Sequence, residues 1–321
     1  LQPANVLLDL YGEDIRARAY VTLDPLQGEQ MLRPDFTVPV VQRHMAENAE
    51  PARYTYDGPV FRYQDGDTRR TAQSEQVGYE VFDRGPADVI EAEVFALFQK
   101  ILAPYGLISS TGDVGLLVAA IDGLTTSDAR KAALRRHIWR PSRFQALLVR
   151  FSQPVLEKDL GVGGQQIGLR DSFDVEERLV QLADEAAAQP IPQIEIDALN
   201  DLLKIKGSLL NALTDLQSLA LRLPAIVSAV DHMLARLAAL RGADVDVAQI
   251  GFEAAYGLTA MEYYDGFVFG FYANKVGWPA VASGGRYDAL TRVLGQGRAV
   301  PAVGGIIRPE FTVQLLGEDM Q

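Results

Sequence analysis

Strand-forming sequence lies at both ends of this chain, and helix-forming sequence lies between them. The run "YTYDGPVFRY" (54–63) alternates aromatic residues and Val with other residues, and "SEQVGYEVFD" (74–83) follows after a polar loop. Two such runs around a loop with Gly and Asp predict an antiparallel hairpin. Short strand-type runs, "QIGFEAAY", "GFVFGFYA" and "WPAVAS", return near the other end. We therefore predict that residues near 30–80 and 255–310 meet in one core.

Helical periodicity is clearest in "PADVIEAEVFALFQKILAPYG", which has Pro86 near its start and Gly106 just past its end. Further helices are predicted downstream. Ser127 is a candidate N-cap, and Asp174 with Glu177 three residues later resembles a capping box.

These patterns predict an α+β fold in which helices flank an antiparallel sheet. Residues 1–106 and 249–321 are assigned to one domain. Residues 107–248 are assigned to a mainly helical insertion between its two halves.

Composition excludes several classes of protein. With 30 Lys and Arg against 42 Asp and Glu, the net charge is -12, which disfavours tight binding to nucleic acid. The chain has no Cys, so disulfides and thiolate metal sites are excluded, and its three His have no metal-site spacing. No apolar run approaches the ~18 residues of a membrane helix, and no signal peptide is evident. A soluble, cytoplasmic protein without a metal or membrane contact is expected.

The run "MLRPDFTVPVVQRH" (31–44) places three polar residues, Arg33, Asp35 and Thr37, at alternate positions. In an extended segment their side chains would share one side. The alternative is a solvated edge that Pro34 and Pro39 interrupt.

The predicted hairpin carries a second polar group. Arg62 ends its first strand, where a rigid bidentate donor would suit a carboxylate or a phosphate. The alternative is an ordinary cross-strand ion pair, for example with Glu80. Gln76, Gly78 and Glu80 alternate on the second strand, and Gly78 would leave room for a ligand to approach. A half-exposed polar face is the competing interpretation.

Acids and tyrosines dominate "GLTAMEYYDGFVFGFY" (257–272), and no Lys or Arg occurs from 242 through 274. Such a segment could line a site for a cationic or hydrogen-bonding ligand. The later run "SGGRYDAL" reads as a glycine turn entering a helix, which could present backbone N–H groups to an anion. A Gly-Gly pair is more often only a turn.

Together the runs "LRPDFT", "GPVFRYQ…EQVGYEVFD", "MEYYDGFVF", "ASGGRYDALTRVLG" and "PAVGGIIRPE" occur in the order found in histidyl-tRNA synthetase. Both flanking thirds of the chain resemble the catalytic domain of that class II aminoacyl-tRNA synthetase. The resemblance implies its fold, and a histidine pocket formed by Asp35, Thr37, Gln76, Glu80, Tyr263 and Tyr264. Arg62 matches the arginine that contacts the amino-acid carboxylate and the α-phosphate of ATP.

The resemblance is incomplete where the synthetase handles ATP and tRNA. Thr259 stands where the family has an arginine before the paired tyrosines, and Phe311 stands where it has the arginine that binds the γ-phosphate. The hairpin reads "TAQSE" in place of a basic and aromatic stretch, and nothing follows Gln321 where an anticodon-binding domain is expected. The histidine pocket is therefore predicted to remain, while adenylation and tRNA binding are predicted to be lost, leaving no catalytic residue.

A synthetase-like chain with this pattern resembles the regulatory subunits of ATP phosphoribosyltransferase, the first enzyme of histidine biosynthesis. The resemblance implies a non-catalytic protein without a cofactor. It would self-associate as a dimer, join a short-form catalytic subunit in a hetero-oligomer (a hetero-octamer is expected), activate it, and take part in feedback inhibition by L-histidine. The partner would condense ATP with phosphoribosyl pyrophosphate.

Two alternatives remain at this point. One is a minimal histidine-activating enzyme in which Arg308 or Arg286 replaces the lost cations. The other is a scaffold protein in which the tyrosines belong to the core.

Overall fold

The computed structural model describes residues 1–5, 8, 19–63, 71–154, 172–256, 258 and 263–319. A small antiparallel sheet near the N-terminus has the strand order β1-β3-β2. Its strands are β1 (Gln2–Pro3), β2 (Val21–Asp24) and β3 (Gly28–Met31).

The main sheet has eight described strands in the order β4-β5-β11-β10-β9-β6-β8-β7. Neighbours in it are antiparallel except β6 and β8, which are parallel. The strands are β4 (Ala52–Phe61), β5 (Gln73–Phe82), β6 (Ile108–Asp113), β7 (Lys206–Ser208), β8 (Gly251–Glu253), β9 (Phe267–Tyr272), β10 (Ala282–Arg286) and β11 (Ala302–Ile307).

The pairing confirms two predictions. β4 and β5 form the expected antiparallel hairpin, from Ala52 opposite Phe82 to Phe61 opposite Gln73. β5 then pairs with β11, near the other end of the chain, so the two strand-rich ends share one core.

Helices cover the sheet. They are α1 (Thr37–Glu47), α2 (Ala87–Leu102), α3 (Val114–Asp122), α4 (Asp128–Arg136), α5 (Pro141–Phe151), α6 (Ser172–Ala187), α7 (Gln193–Lys204), α8 (Leu209–Ala220), α9 (Val227–Gly242), α10 (Asp288–Leu294) and α11 (Pro309–Asp319). The prediction of α2 is confirmed, and Gly106 follows a short 3-10 turn after it with φ +59°. Among the described helices, none is both long and apolar enough to cross a membrane.

One of the two predicted helix caps is confirmed and the other is wrong. Ser127 precedes α4 and its side chain accepts a hydrogen bond from the backbone N–H of Arg130, which confirms it as N-cap. The prediction for Asp174 is wrong, because α6 begins at Ser172 and Asp174 therefore lies within the first turn.

The extended segment considered for Arg33, Asp35 and Thr37 is wrong at Thr37, where α1 begins. Val38, Val41 and Met45 are all buried, which is the spacing of a helix face. Pro39 is tolerated because the first turn of a helix needs no backbone N–H donor. Asp35 and Thr37 are also buried, so the alternative of a solvated edge is wrong too.

The predicted glycine turn at "SGGRYDAL" is wrong as well, since Gly284 and Gly285 lie within β10. A Cβ on Gly284 would collide with the carbonyl oxygen of Gly304 and with the ring of Phe269. The glycines are needed because the neighbouring strand and the aromatic core approach closely here.

The main sheet extends into the range assigned to the insertion. Residues 107–248 are mainly helical, yet they contribute β6, between β9 and β8, and the edge strand β7. The division into a synthetase-like domain and an insertion stays a prediction, and its boundary at residue 107 does not coincide with an edge of the sheet.

Candidate functional site

Seven residues selected from the sequence line one cleft over the main sheet. The cleft measures about 370 Å³, counted with the solvent at its mouth. The seven are Asp35, Thr37, Arg62, Gln76, Glu80, Tyr263 and Tyr264. The cleft also includes residues that were not assigned a binding role from the sequence: Ser283, Tyr287, Gly304, Gly305, Ile306 and Arg308.

Strands β5 and β11 form the floor of this cleft. Alternation along β5 points Gln76 and Glu80 to the same side, and both are buried. Gly304 pairs with Glu80 in the neighbouring strand, and a Cβ at Gly304 would collide with the Glu80 carboxylate. Glycine at 304 thus makes the space that the carboxylate occupies.

Glu80 is held by three hydroxyl groups from different parts of the chain. Its Oε1 accepts hydrogen bonds from Thr37 Oγ1 at 3.1 Å and from Tyr56 OH at 2.9 Å. Its Oε2 accepts one from Tyr287 OH at 2.6 Å. Burial raises the pKa of Glu80 to about 7, although these hydrogen bonds act in the opposite direction.

Tyr56 corrects the interpretation of Gly78. The room beside Gly78 is filled by the Tyr56 ring, which a Cβ on Gly78 would strike, and is not open to a ligand. The ring stacks on Phe36 with centroids 4.6 Å apart. Burial and the charge of Glu80 raise the pKa of Tyr56, so its hydroxyl remains a proton donor. The role of Tyr56 was not evident from the sequence, because it depends on glycine in the adjacent strand.

Three tyrosines form an aromatic wall. The rings of Tyr263 and Tyr264 meet edge to face at 4.8 Å, and Tyr263 meets Tyr287 at 6.0 Å. The Tyr263 hydroxyl donates to Thr37 Oγ1 at 3.5 Å. Tyr263 and Tyr264 are partly exposed rather than fully buried. Such a wall offers flat apolar faces together with hydroxyl groups.

Gln76 contributes a buried amide group to the lining of the cleft. Its carbonyl oxygen Oε1 meets no hydrogen-bond donor among the described residues. A buried acceptor of this kind would be satisfied by an N–H group of a ligand.

Two arginines bring positive charge to the cleft. Arg62 Nε donates to the carbonyl oxygen of Pro34 at 2.6 Å. Arg308 Nη1 donates to the carbonyl oxygen of Ala280 at 2.8 Å, and its Nη2 donates to Ser283 Oγ at 3.3 Å. In the described part of the chain Glu80 is bonded to hydroxyls and not to Arg62, so the alternative of a simple ion pair between them is wrong.

The other candidate cation, Arg286, is committed elsewhere. Its Nε lies 2.5 Å from Glu91 Oε1, and its Nη1 lies 3.1 Å from Asp288 Oδ1. Arg236 Nη1 reaches the same Glu91 carboxylate at 2.6 Å. Arg286 therefore belongs to a buried ion cluster and does not line the cleft.

The sequence departs from the synthetase pattern at two positions, Thr259 and Phe311, and the structure describes only the second. Thr259 lies outside the described residues. Phe311 is 3% exposed, in α11, and its ring packs against Trp278 with centroids 6.1 Å apart. An apolar contact thus occupies the position predicted to correspond to the family's γ-phosphate arginine. The neighbouring Glu310 accepts a hydrogen bond from the backbone N–H of Glu75 at 3.1 Å.

Chemically, the cleft is suited to a small dipolar molecule. Asp35 and Glu80 provide negative charge, Arg62 and Arg308 provide positive charge, and the tyrosines provide an apolar wall. Within the described ranges, no group of three or more acidic or histidine side chains could hold a metal ion.

Comparison with known proteins finds the family that the motifs indicate. The family model for histidyl-tRNA synthetase matches residues 1–151 and 166–311. ATP phosphoribosyltransferase regulatory subunits from Mesorhizobium japonicum and Agrobacterium fabrum are each 30% identical to this chain. Each match spans 95% of this chain and 88% of the relative.

Solved structures confirm the predicted class II synthetase-like fold. A Bacillus halodurans protein described as an ATP phosphoribosyltransferase regulatory subunit/histidyl-tRNA synthetase gives a TM-score of 0.66 at 23% identity, over 94% of this chain and 68% of that one. Histidyl-tRNA synthetase from Nostoc gives 0.60 at 17% identity, over 94% and 63%. The chain therefore belongs to the ATP phosphoribosyltransferase regulatory subunits, within the histidyl-tRNA synthetase family.

Proposed function

We propose that this chain is a non-catalytic regulatory subunit of ATP phosphoribosyltransferase that binds free L-histidine in the cleft. Two lines of support are independent of each other. The relatives at 30% identity carry the regulatory-subunit name over nearly the whole chain. The cleft brings carboxylates, arginines and tyrosines together around one small space.

Each part of histidine has a matching group in the cleft. The α-ammonium would lie by the Glu80 carboxylate and the Gln76 carbonyl oxygen, both of which are buried acceptors. The carboxylate would face the guanidinium of Arg62. Asp35 and the tyrosine hydroxyls would hold the imidazole nitrogens, and the tyrosine rings would cover its faces.

The observation that carries the non-catalytic part of the proposal is Phe311. A buried phenylalanine packed on Trp278 supplies no charge to a triphosphate. Thr259 supplies none at the second position. Losing one preorganised charge-stabilising donor lowers a rate by about 10²–10³, so losing two removes practical adenylation.

Regulation would act through a complex. We place the chain in the cytoplasm, as a dimer that assembles with the short-form catalytic subunit into a hetero-octamer. Histidine in the cleft can inhibit the partner only if it binds the active and inhibited states of the complex with different affinity. Coupling of this kind between two sites typically amounts to about 1–3 kcal/mol.

Reconstitution tests the proposal directly. The short-form catalytic subunit is assayed for condensation of ATP with phosphoribosyl pyrophosphate, alone and with this chain, with and without L-histidine. We expect activity to rise when the chain is added and to fall again with histidine. A catalytic subunit whose rate is the same with and without the chain would refute the regulatory role.

One observation favours a second function. Arg308 lines the cleft and could stand in for a lost phosphate-binding cation. In that case the chain would be a minimal histidine-activating enzyme, and it would exchange pyrophosphate into ATP when histidine is present. The remaining alternative, a scaffold without a small ligand, predicts no heat on titration with histidine.

A further inference from the structure

Arg33 is the one member of the alternating group Arg33, Asp35 and Thr37 that does not line the cleft in the described part of the chain. Its guanidinium carbon lies 4.0 Å from the centre of the Phe36 ring, which is a cation–π contact. Its Nε donates to the carbonyl oxygen of Pro59 at 2.8 Å. Arg33 is thus held against Phe36 and the end of β4, outside the cleft.

The Phe36 ring extends this contact to Tyr56. The two rings stack with centroids 4.6 Å apart and planes 16° apart. Two glycines of the hairpin make room for them. A Cβ on Gly78 would strike the Tyr56 ring, and a Cβ on Gly58, where φ is +143°, would lie 3.2 Å from both Phe36 Cζ and Arg33 Nη2. We call Arg33, Phe36 and Tyr56 the arginine–aromatic stack, and it holds the Tyr56 ring against β5.

The Tyr56 hydroxyl reaches Glu80 diagonally across the hairpin. In the register of β4 and β5, Tyr54 is opposite Glu80. The Tyr54 hydroxyl nevertheless lies 3.2 Å from His44 Nδ1. Tyr56 is opposite Gly78, and its hydroxyl donates to Glu80 Oε1 at 2.9 Å. Because Gly78 has no side chain, the Tyr56 ring can cross β5 at this point, so the contact with Glu80 depends on the stack and on glycine rather than on strand pairing alone.

The hydroxyl groups around Glu80 are divided unequally between its two oxygens. Oε1 accepts hydrogen bonds from Tyr56 and Thr37, whereas Oε2 accepts one, from Tyr287, among the described residues. A carboxylate has about four lone-pair sites, two on each oxygen. Oε1 is therefore saturated, and Oε2 can accept one more hydrogen bond. Oε2 also lies against Gly304, which lines the cleft, so this remaining site is the one that a ligand would use.

We infer that Tyr56 is a positioning residue for ligand binding: held by the arginine–aromatic stack, its hydroxyl keeps the Glu80 carboxylate turned so that Oε2 faces the ligand. Tyr56 does not itself line the described part of the cleft, so it acts through Glu80. Burial raises the pKa of Glu80, and the hydrogen bond from Tyr56 acts against this rise by favouring the ionised carboxylate. The identity of the ligand as L-histidine rests on the proposed function, whereas the effect of Tyr56 on Glu80 does not.

Tyr56→Phe tests this role, because it removes the hydroxyl and keeps the ring in the stack. Tyr54→Phe is the matched control, since it removes a hydroxyl that lies at His44 from the same strand. The pKa of Glu80 is measured in the ligand-free chain from the infrared band of its protonated carboxyl group, identified by its absence in Glu80→Gln. Both tyrosine variants leave unchanged the other charged or titratable residues that line the described cleft, namely Asp35, Arg62, Tyr263, Tyr264, Tyr287 and Arg308.

We expect the pKa of Glu80 to rise by about 1–2 in Tyr56→Phe, with Tyr54→Phe close to wild type. The ionised fraction of Glu80 at pH 7 would then fall from about one half to about 1–10%. The Kd for L-histidine, measured by calorimetry, should therefore rise about 5- to 50-fold at pH 7 but less than about 5-fold at pH 8.5. A variant whose structure is merely disturbed would lose the same affinity at both pH values, and that result would overturn the positioning role.

An unchanged pKa of Glu80 in Tyr56→Phe also overturns the positioning role and leaves the proposed function intact. A wild-type chain that does not bind L-histidine overturns the proposed histidine site, while the infrared titration still decides the role of Tyr56. Circular dichroism checks that the variants fold. If Tyr56→Phe does not, Phe36→Leu replaces it, because it keeps the hydroxyl but removes the ring that holds it. The pKa of Glu80 should rise in Phe36→Leu as well, and an unchanged value there would count against the stack in the same way.

Discussion

Two buried glutamates on adjacent elements contrast a carboxylate proposed to bind a ligand with a structural one. Glu80 in β5 is 1% exposed and Glu91 in α2 is 0% exposed. Glu80 accepts hydrogen bonds from three neutral hydroxyls. Glu91 is surrounded by Arg286 at 2.5 Å, Arg236 at 2.6 Å and His232 at 3.1 Å.

The surroundings give the two carboxyl groups opposite pKa shifts. Burial raises the pKa of Glu80 to about 7, because no cation in the described part of the chain offsets the lost hydration. Burial also acts to raise the pKa of Glu91, but the charge of Arg236, the hydrogen bond with His232 and the charge of Arg286 outweigh it and hold the pKa well below its usual range. Glu91 is thus neutralised within the chain, whereas Glu80 can still gain from a cationic ligand.

The structural cluster also supports the cleft. Arg286 immediately precedes Tyr287, whose hydroxyl holds Glu80. Asp265 follows the paired tyrosines and accepts hydrogen bonds from the backbone N–H groups of Asp288 at 3.0 Å and Ala289 at 2.6 Å. The ion cluster and Asp265 therefore fix the backbone that carries the aromatic wall.

The largest effect is expected from Glu91→Gln. Removing this carboxylate leaves two buried arginines without their shared partner, and breaking a buried ion pair in this way lowers the free energy of unfolding by about 3–5 kcal/mol. The loss in the free energy of unfolding is measured by urea unfolding. Glu93→Gln on the same helix is the control, because its pair with Arg53 is on the surface and contributes about 0–1 kcal/mol. Equal, small losses in both variants would show that Glu91 is not structural.

Glu80→Gln should instead affect binding. A hydrogen bond to a charged group contributes about 1.5–3 kcal/mol, so we expect histidine affinity to fall roughly 10- to 100-fold. At pH 5, where Glu80 is mostly protonated, the free energy of unfolding should stay within about 1 kcal/mol of wild type. Titration calorimetry and urea unfolding give the two values. Unchanged affinity would remove Glu80 from the binding site.

The free energies of unfolding of the wild-type chain and of the Glu80→Gln variant should also change differently with pH. Glu80 has a folded pKa near 7, above its usual 4.5, so its favourable contribution is complete below pH 4.5 and is lost as pH rises through 7. One unit of pKa shift corresponds to about 1.4 kcal/mol. Between pH 5 and 8 the wild-type chain should therefore lose about 1–3 kcal/mol relative to Glu80→Gln. Parallel stability curves would contradict the raised pKa.

The smallest expected effect is the release of a fraction of a proton when histidine binds. At pH 7 about half of the free Glu80 is protonated, given its pKa of about 7, and a bound ammonium would keep it ionised. Calorimetry in two buffers of different ionisation enthalpy should show about half a proton released per histidine. Glu80→Gln, measured at high protein concentration, removes this release but leaves any proton change of the ligand itself. The same proton count in both proteins would contradict the mechanism.

The sequence predicted the hairpin, the sharing of a core by both ends and seven of the residues that line the cleft, because short motifs retain a recognisable order. It did not predict α1, since the alternation of Arg33, Asp35 and Thr37 favoured an extended segment. It also missed Tyr56 and Tyr287, which reach Glu80 from other elements. The Glu91 cluster could not be predicted from the sequence. Arg236 and Arg286 lie 145 and 195 positions away from Glu91 in the chain, and no local sequence pattern indicates such a contact.

We propose that this family member keeps a histidine cleft without the chemistry of histidine activation. Histidine-dependent exchange of pyrophosphate into ATP, measured on a preparation that calorimetry shows to bind histidine, tests it most directly. We predict no exchange above background at saturating histidine and ATP. Exchange at the rate of an active synthetase would contradict the claim and assign the missing charge to another residue, with Arg308 the first to substitute.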